Sequence, residues 1–192
     1  MAIVIGLHGA KGSGKDHFFK VARTHLSYLK VQKLAYADPI KNEVSRIFEL
    51  QDEEQYDLFK RTTLMWALQR GQNYPDTVPG RQVVREIGMM MRSYDEQQFV
   101  KYVEDAVQSN PDVDVWCITD LRFSNELHSI KNNLNGLVVK ILREGYTFDG
   151  HVTETEIDDS ECDYVIRNGS NDIEIYNRSI ITTMEHILET RG

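Results

Sequence analysis

Apolar positions along the chain change period from segment to segment, and the changes mark out the elements. The unbroken run Ala2-Ile3-Val4-Ile5-Gly6-Leu7 predicts a buried strand. A glycine-rich turn from Gly9 to Gly14 follows. From about Asp16, Phe18, Phe19, Val21, Ala22 and Leu26 recur at helical spacing. Lys33 to Tyr36 reads as a short strand. Asp38-Pro39 is a helix start, with Ile40, Val44, Ile47 and Phe48 on one face. Helical patterns are expected over 52–70, 81–93, 96–108, 123–133 and 171–190, and strands over 113–119, 137–142 and 164–166. Residues 72–80 and 144–161 are polar and rich in turn formers, and read as loops. Strands alternating with helices predict an α/β fold with a mostly parallel sheet covered on both faces.

Composition narrows the class. With 41% apolar and 27% charged residues in 192, the chain suits one globular domain with a substantial core, or a domain with a small lid. Its net charge of −8 argues against a strongly basic DNA-binding protein, although a few cations in a cleft can still attract an anionic nucleotide. Cys117 and Cys162 are too few for a disulfide framework or a zinc cluster, and Cys117 reads as a buried thiol. The apolar start lacks the length and basic flank of a signal peptide. No stretch approaches membrane-spanning length, and a reducing, cytoplasmic location is expected.

The sharpest chemical signal is Gly9-Ala10-Lys11-Gly12-Ser13-Gly14-Lys15, most of the Walker A pattern, placed between an expected strand and an expected helix. Glycines let the backbone curl so that successive N–H groups face phosphate oxygens, the helix N-terminus adds positive potential, and Lys15 reaches the β- and γ-phosphates. The hydroxyl that would ligate Mg²⁺ is replaced by Asp16, which either holds the ion through water or caps the helix. His17 reads as a phosphate-side or solvent residue. A second constellation is Asp120-Leu121-Arg122 at the end of an apolar strand. There Asp120 can face Mg²⁺ and the acceptor, and Arg122 can grip an acceptor phosphate. Lys41, Arg61, Arg81, Arg85 and Arg92 supply candidate phosphate clamps. Trp66 is a candidate base-stacking residue, with a core position the alternative. Arg143 leads into the candidate lid, which contains His151 and Glu154.

The segments HGAKGSGKD, YADPIKNEVSRIFEL, PGRQVVREIGMMMR, ITDLRFSNEL, DGHVTETEIDD and DYVIRNGS, in this order over nearly the whole chain, resemble the bacteriophage deoxynucleoside monophosphate kinases. Animal phosphomevalonate kinases share a similar SGKD loop. The resemblance implies a three-layer P-loop kinase fold in one domain spanning residues 1–192. Its acceptor-binding region lies at about 38–105 and its lid at about 144–161. ATP is the donor, a deoxynucleoside monophosphate (dNMP) the acceptor, and Mg²⁺ the cofactor. Gly12, Ser13, Gly14, Lys15 and Asp16 would hold ATP phosphates and metal, and Asn168-Gly169 the adenine. Lys11, Asp38, Lys41, Arg81, Arg85, Arg122 and Glu126 would border the acceptor, and Arg143, His151 and Glu154 would form the lid set. Catalysis would rest on Lys15, Arg122 and Arg143, with Asp16 and Asp120 at the metal and no general base. Such enzymes tend to pair as dimers, and neither a nucleic-acid polymer nor a membrane is an expected partner of this chain. His17 departs from the usual threonine, which affects one α-phosphate contact. A phosphomevalonate-type kinase and a slow nucleotide-hydrolysing switch are the competing readings.

Overall fold

The computed structural model describes residues 2–65, 77–147, 157–169 and 173–191. It divides into two compact units, one formed by 1–36 with 100–192 and the other by 37–99.

The first unit is built on five parallel strands, β1 (Ile3–His8), β2 (Val31–Leu34), β5 (Val115–Ile118), β6 (Leu137–Arg143) and β7 (Tyr164–Asn168). They lie in the order β2-β5-β1-β6-β7. The near-continuous apolar runs of β1, β5 and β6 follow from burial on both faces. One face, carrying Ile5, Leu7, Cys117, Val139 and Ile141, packs on α1 (Lys15–His25) and α7 (Ile173–Arg191). The two helices contribute Phe18, Ala22, Ile180, Met184 and Ile187, and Leu26 follows directly after α1. Burial pushes the Cys117 thiol up to about 12, so it is a packing residue. On the other face Gly6 leaves room for Leu121 and Ile130, the latter on a π-helical turn (Ser129–Asn133) that continues α6 (Ser124–His128). α5 (Gln98–Ser109) contributes Glu104, whose carboxylate accepts from Ser129 at 2.6 Å. The expected α/β class with a parallel sheet is the one observed. The chain passes from β1 through α1 to β2 on one side of it, and later crosses from β5 to β6 on the other, so the strand order reverses at β1. The crevice of such a sheet lies outside the carboxyl ends of these central strands.

The second unit comprises α2 (Asp38–Ile47), α3 (Glu53–Arg61), an antiparallel pair β3 (Thr63–Met65) and β4 (Thr77–Pro79), and α4 (Gly80–Tyr94). Val44, Tyr56, Phe59 and Val83 form its core. Burial first, then the charges of Asp57 and Asp38, push the Tyr56 phenol up to about 12 and keep it neutral. The helix expected over 52–70 ends at Arg61. Thr62 is extended, its carbonyl accepts the Gly80 N–H at 2.8 Å, and the chain proceeds into β3. Two successive β-branched threonines favour that exit from the helix. The loop expected over 72–80 accordingly ends in β4. Among the described residues, no helix is long and apolar enough to cross a membrane.

Candidate active site

The turn between β1 and α1 is shaped by its glycines and held from outside by its carbonyls. Gly9, Gly12 and Gly14 have φ of 152°, 79° and 114°, values that L side chains rarely adopt. The Gly12 carbonyl accepts from Arg143 Nη1 at 2.9 Å, that of Ser13 from Asn168 Nδ2 at 2.8 Å, and that of Gly14 from Tyr176 Oη at 3.0 Å. A trans peptide points its C=O and N–H in opposite directions. Three anchored carbonyls therefore turn the N–H groups of Ser13, Gly14 and Lys15 to the other side of the loop. The Ser13 N–H closes a turn on Ala10 O at 3.1 Å. The next two sit at the start of α1, where a helix has N–H groups without intrahelical acceptors. Lys15 folds across the mouth, donating from Nζ to Gly9 O at 2.5 Å and Ala10 O at 2.9 Å. Among the described residues Ser13 Oγ is buried with no hydrogen-bond partner. This is the geometry of an anion cradle.

Two of the braces are residues the sequence does not single out. Tyr176 is buried on α7, and burial drives its phenol well above the usual range, so its hydroxyl stays a donor. Tyr146 follows Gly145 in the turn leaving β6. Its ring lies over Gly12 and carries the Arg143 guanidinium 4.4 Å above its centroid. Asn168, expected at the adenine, spends its amide on the Ser13 carbonyl, while Gly169 is exposed.

His17 is turned toward α7. Its Nε2 is 2.6 Å from Asn177 Oδ1, and its ring stacks on Tyr176 at 5.7 Å. Asp16, in the first turn of α1, accepts from Lys33 Nζ at 2.6 Å, with the Asp16 side chain largely in solvent. Lys11 is exposed. At the end of β5, Asp120 Oδ1 accepts the Tyr36 N–H at 2.7 Å, joining the ends of β5 and β2. Glu126 is buried, and its Oε2 accepts the N–H groups of Arg122 at 2.9 Å and Phe123 at 3.1 Å. Its carboxylate thus fixes the turn that presents Arg122. Among the described residues no group of three or more His, Cys, Asp or Glu is placed to hold a metal ion.

The remaining expected cations lie in the second unit. Lys41 on α2 donates to Glu53 at 2.9 Å and sits 5.6 Å from the Tyr56 ring centroid, one turn after Asp38. Arg61 ends α3 and Arg81 opens α4, both exposed, on either side of the Thr62–Gly80 hydrogen bond. Arg85 is half-buried one turn further along. Arg92 lies over the Phe99 ring at 4.7 Å. Trp66, His151 and Glu154 lie outside the described residues.

No known protein-family profile matches the chain. A protein of Acanthamoeba polyphaga mimivirus named "Putative deoxynucleotide monophosphate kinase" is 26% identical over 202 residues, covering 96% of this chain and 97% of that protein. Solved structures similar to this one include a "putative kinase" of Chloroflexus aurantiacus, with TM-score 0.49 and 11% identity over 100% of this chain and 98% of that one. Shikimate kinase of Bacteroides thetaiotaomicron gives TM-score 0.42 and 12% identity over 97% and 98% of the two chains.

Proposed function

We propose that the protein is a nucleoside monophosphate kinase that moves the γ-phosphate of ATP onto a deoxynucleoside monophosphate, giving ADP and the diphosphate. One observation carries this reading: the 9–14 turn has its carbonyls anchored outward and a lysine across its mouth, at the carboxyl end of the central strand. The mimivirus relative, aligned end to end, supports the choice of a nucleotide monophosphate as acceptor.

Phosphoryl transfer requires little covalent chemistry from a protein, because the acceptor phosphate is already a nucleophile. In this reading the Gly14 and Lys15 amides and the Lys15 ammonium bind the donor phosphates. Arg143, braced on Gly12 and Tyr146, supplies positive charge beside the loop, and Arg122 grips the acceptor phosphate with its fork of donors. Carboxylate oxygens suit Mg²⁺, so Asp16 and Asp120 fit its retention, directly or through water. When bound, the ion neutralises phosphate charge. Lys41, Arg61, Arg81 and Arg85 are assigned to acceptor binding, and the cytoplasm is the assigned location.

The deciding experiment is a coupled ADP-release assay with dTMP, dGMP, 5-substituted dCMP, dAMP, the ribonucleotides and phosphomevalonate. Turnover with at least one nucleoside monophosphate is expected. Turnover with phosphomevalonate alone, or ADP release that needs no acceptor, would replace this reading with one of its competitors. Within it, Arg122→Ala removes charged hydrogen bonds worth about 1.5–3 kcal/mol, so KM for the monophosphate rises roughly 10- to 100-fold while KM for ATP changes little. An unchanged acceptor KM takes Arg122 out of the acceptor site.

A further inference from the structure

His8 ends β1, immediately before Gly9, and is 0% exposed. Its Nδ1 lies 3.0 Å from the carbonyl oxygen of Leu121, and its Nε2 lies 3.1 Å from the backbone nitrogen of Ile157. A carbonyl only accepts and a peptide N–H only donates. The two bonds together therefore require a neutral imidazole with its proton on Nδ1. Lys140, the register partner of His8 on β6, is 2% exposed. Its ammonium donates to the carbonyl of the same Ile157 at 2.9 Å and to Asp159 Oδ1 at 2.6 Å. Side chains from two adjacent central strands thus hold the N–H and the C=O of one residue.

Burying an ammonium and an imidazole at the functional end of a sheet is costly unless each is paired, and here both are. The pairing has a direction. Lys140, itself bonded to Asp159, holds the Ile157 carbonyl, the Ile157 N–H fixes the ring and its tautomer, and the remaining ring nitrogen donates to the Leu121 carbonyl. Leu121 lies between Asp120 and Arg122, and the residue after His8 is the first of the phosphate loop. One imidazole therefore ties the donor loop to the turn assigned to the acceptor and metal. The same logic orients metal-ligating and catalytic histidines through the bond made by their other nitrogen.

We propose that His8 is a positioning residue for phosphoryl transfer, holding the Asp120–Arg122 turn at fixed spacing from the phosphate loop through its Nδ1–H bond to Leu121. The proposal rests on the kinase reading above. Two substitutions separate the arms of the ring. His8→Asn places an amide donor where Nδ1 stood and loses the acceptor for Ile157. His8→Gln places an acceptor where Nε2 stood and loses the donor to Leu121. Because misplacement by about 1 Å can cost about 100-fold, His8→Gln is expected to lower kcat/KM for the monophosphate by roughly 30- to 100-fold, with calorimetric ADP affinity within about threefold of native. His8→Asn is expected to recover most of that loss. An active native enzyme matched by His8→Gln, or His8→Asn falling as far as His8→Gln, overturns the inference alone. A native protein inert toward every acceptor overturns the kinase reading and the inference with it. Should His8→Gln not fold, the imidazole ¹⁵N spectrum of the native protein decides. A single proton on Nδ1 supports the assignment, and a proton on Nε2 overturns it.

Discussion

Lys15→Met is expected to leave the protein folded and to lower kcat by roughly 100- to 1,000-fold, since losing one preorganised charge donor costs about 3–4 kcal/mol of transition-state stabilisation. Both halves follow from where the ammonium sits. It binds the carbonyls of Gly9 and Ala10, at 2.5 and 2.9 Å, rather than a buried carboxylate. These are partly exposed bonds at the open side of the loop, so water can replace the ammonium there at a cost of about 1 kcal/mol. The loop itself keeps the Arg143, Asn168 and Tyr176 braces, none of which involves Lys15. In the kinase reading the nucleotide, by contrast, loses a flexible cation able to follow charge from the β,γ-bridge to the transferred group. Methionine preserves length and helix propensity, so the measurement isolates charge. Circular dichroism and melting check the fold, and single-turnover kinetics with saturating ATP check the chemistry. Near-native turnover by a folded variant would remove Lys15 from the reaction and, with it, the reading of the 9–14 turn as a working phosphate cradle.

What the sequence makes legible here depends on how far apart the interacting residues lie. The strand, glycine turn and helix of residues 3–25 form one local unit, and each component has its own pattern. The strand expected over 137–142 needed only one further residue, Arg143. The helix expected over 52–70 failed because its end is set by a distant partner. Thr62 is claimed by Gly80, and Thr63 pairs with Pro79. The site shows the same division. The glycines and Lys15 are legible, but the groups that orient their peptides come from 131 residues away for Arg143, 155 for Asn168 and 162 for Tyr176. Nothing local marks Tyr176 in a C-terminal helix as a brace for a loop near the N-terminus. Asn168 and Glu126 are expected at ligands only through the family resemblance. Polarity alone does not tell a side chain that meets a ligand from one that holds the backbone that does, and in this structure both hold backbone.

Gly9→Ala tests that long-range bracing from the other side. A Cβ on Gly9 would lie 2.4 Å from the backbone oxygen of Ile141 and 2.7 Å from Ser13 Oγ, with φ at 152°. The nearer atom belongs to the middle of β6, which is hydrogen-bonded on both sides, to β1 and to β7, and cannot step back without disturbing the sheet. Overpacking against a fixed backbone costs about 3 kcal/mol, which for a chain of this size lowers the melting temperature by roughly 10 °C. Gly12→Ala provides the contrast within the same loop. Its Cβ would meet the Tyr146 ring at 2.6 Å, but that side chain is at the surface and can shift, which leaves chiefly the strain of a left-handed alanine, about 1–2 kcal/mol. Its melting temperature should therefore fall by only a few degrees. Nucleotide binding should separate the two variants as well. Gly9→Ala displaces the origin of the loop and with it the Lys15 anchor on the Gly9 carbonyl, so ADP affinity should drop at least about tenfold even well below the melting range. If Gly9→Ala melts no lower than Gly12→Ala and binds ADP as the native chain does, β6 yields where its hydrogen bonding says it cannot. The loop would then owe its shape to something other than its close seat against that strand.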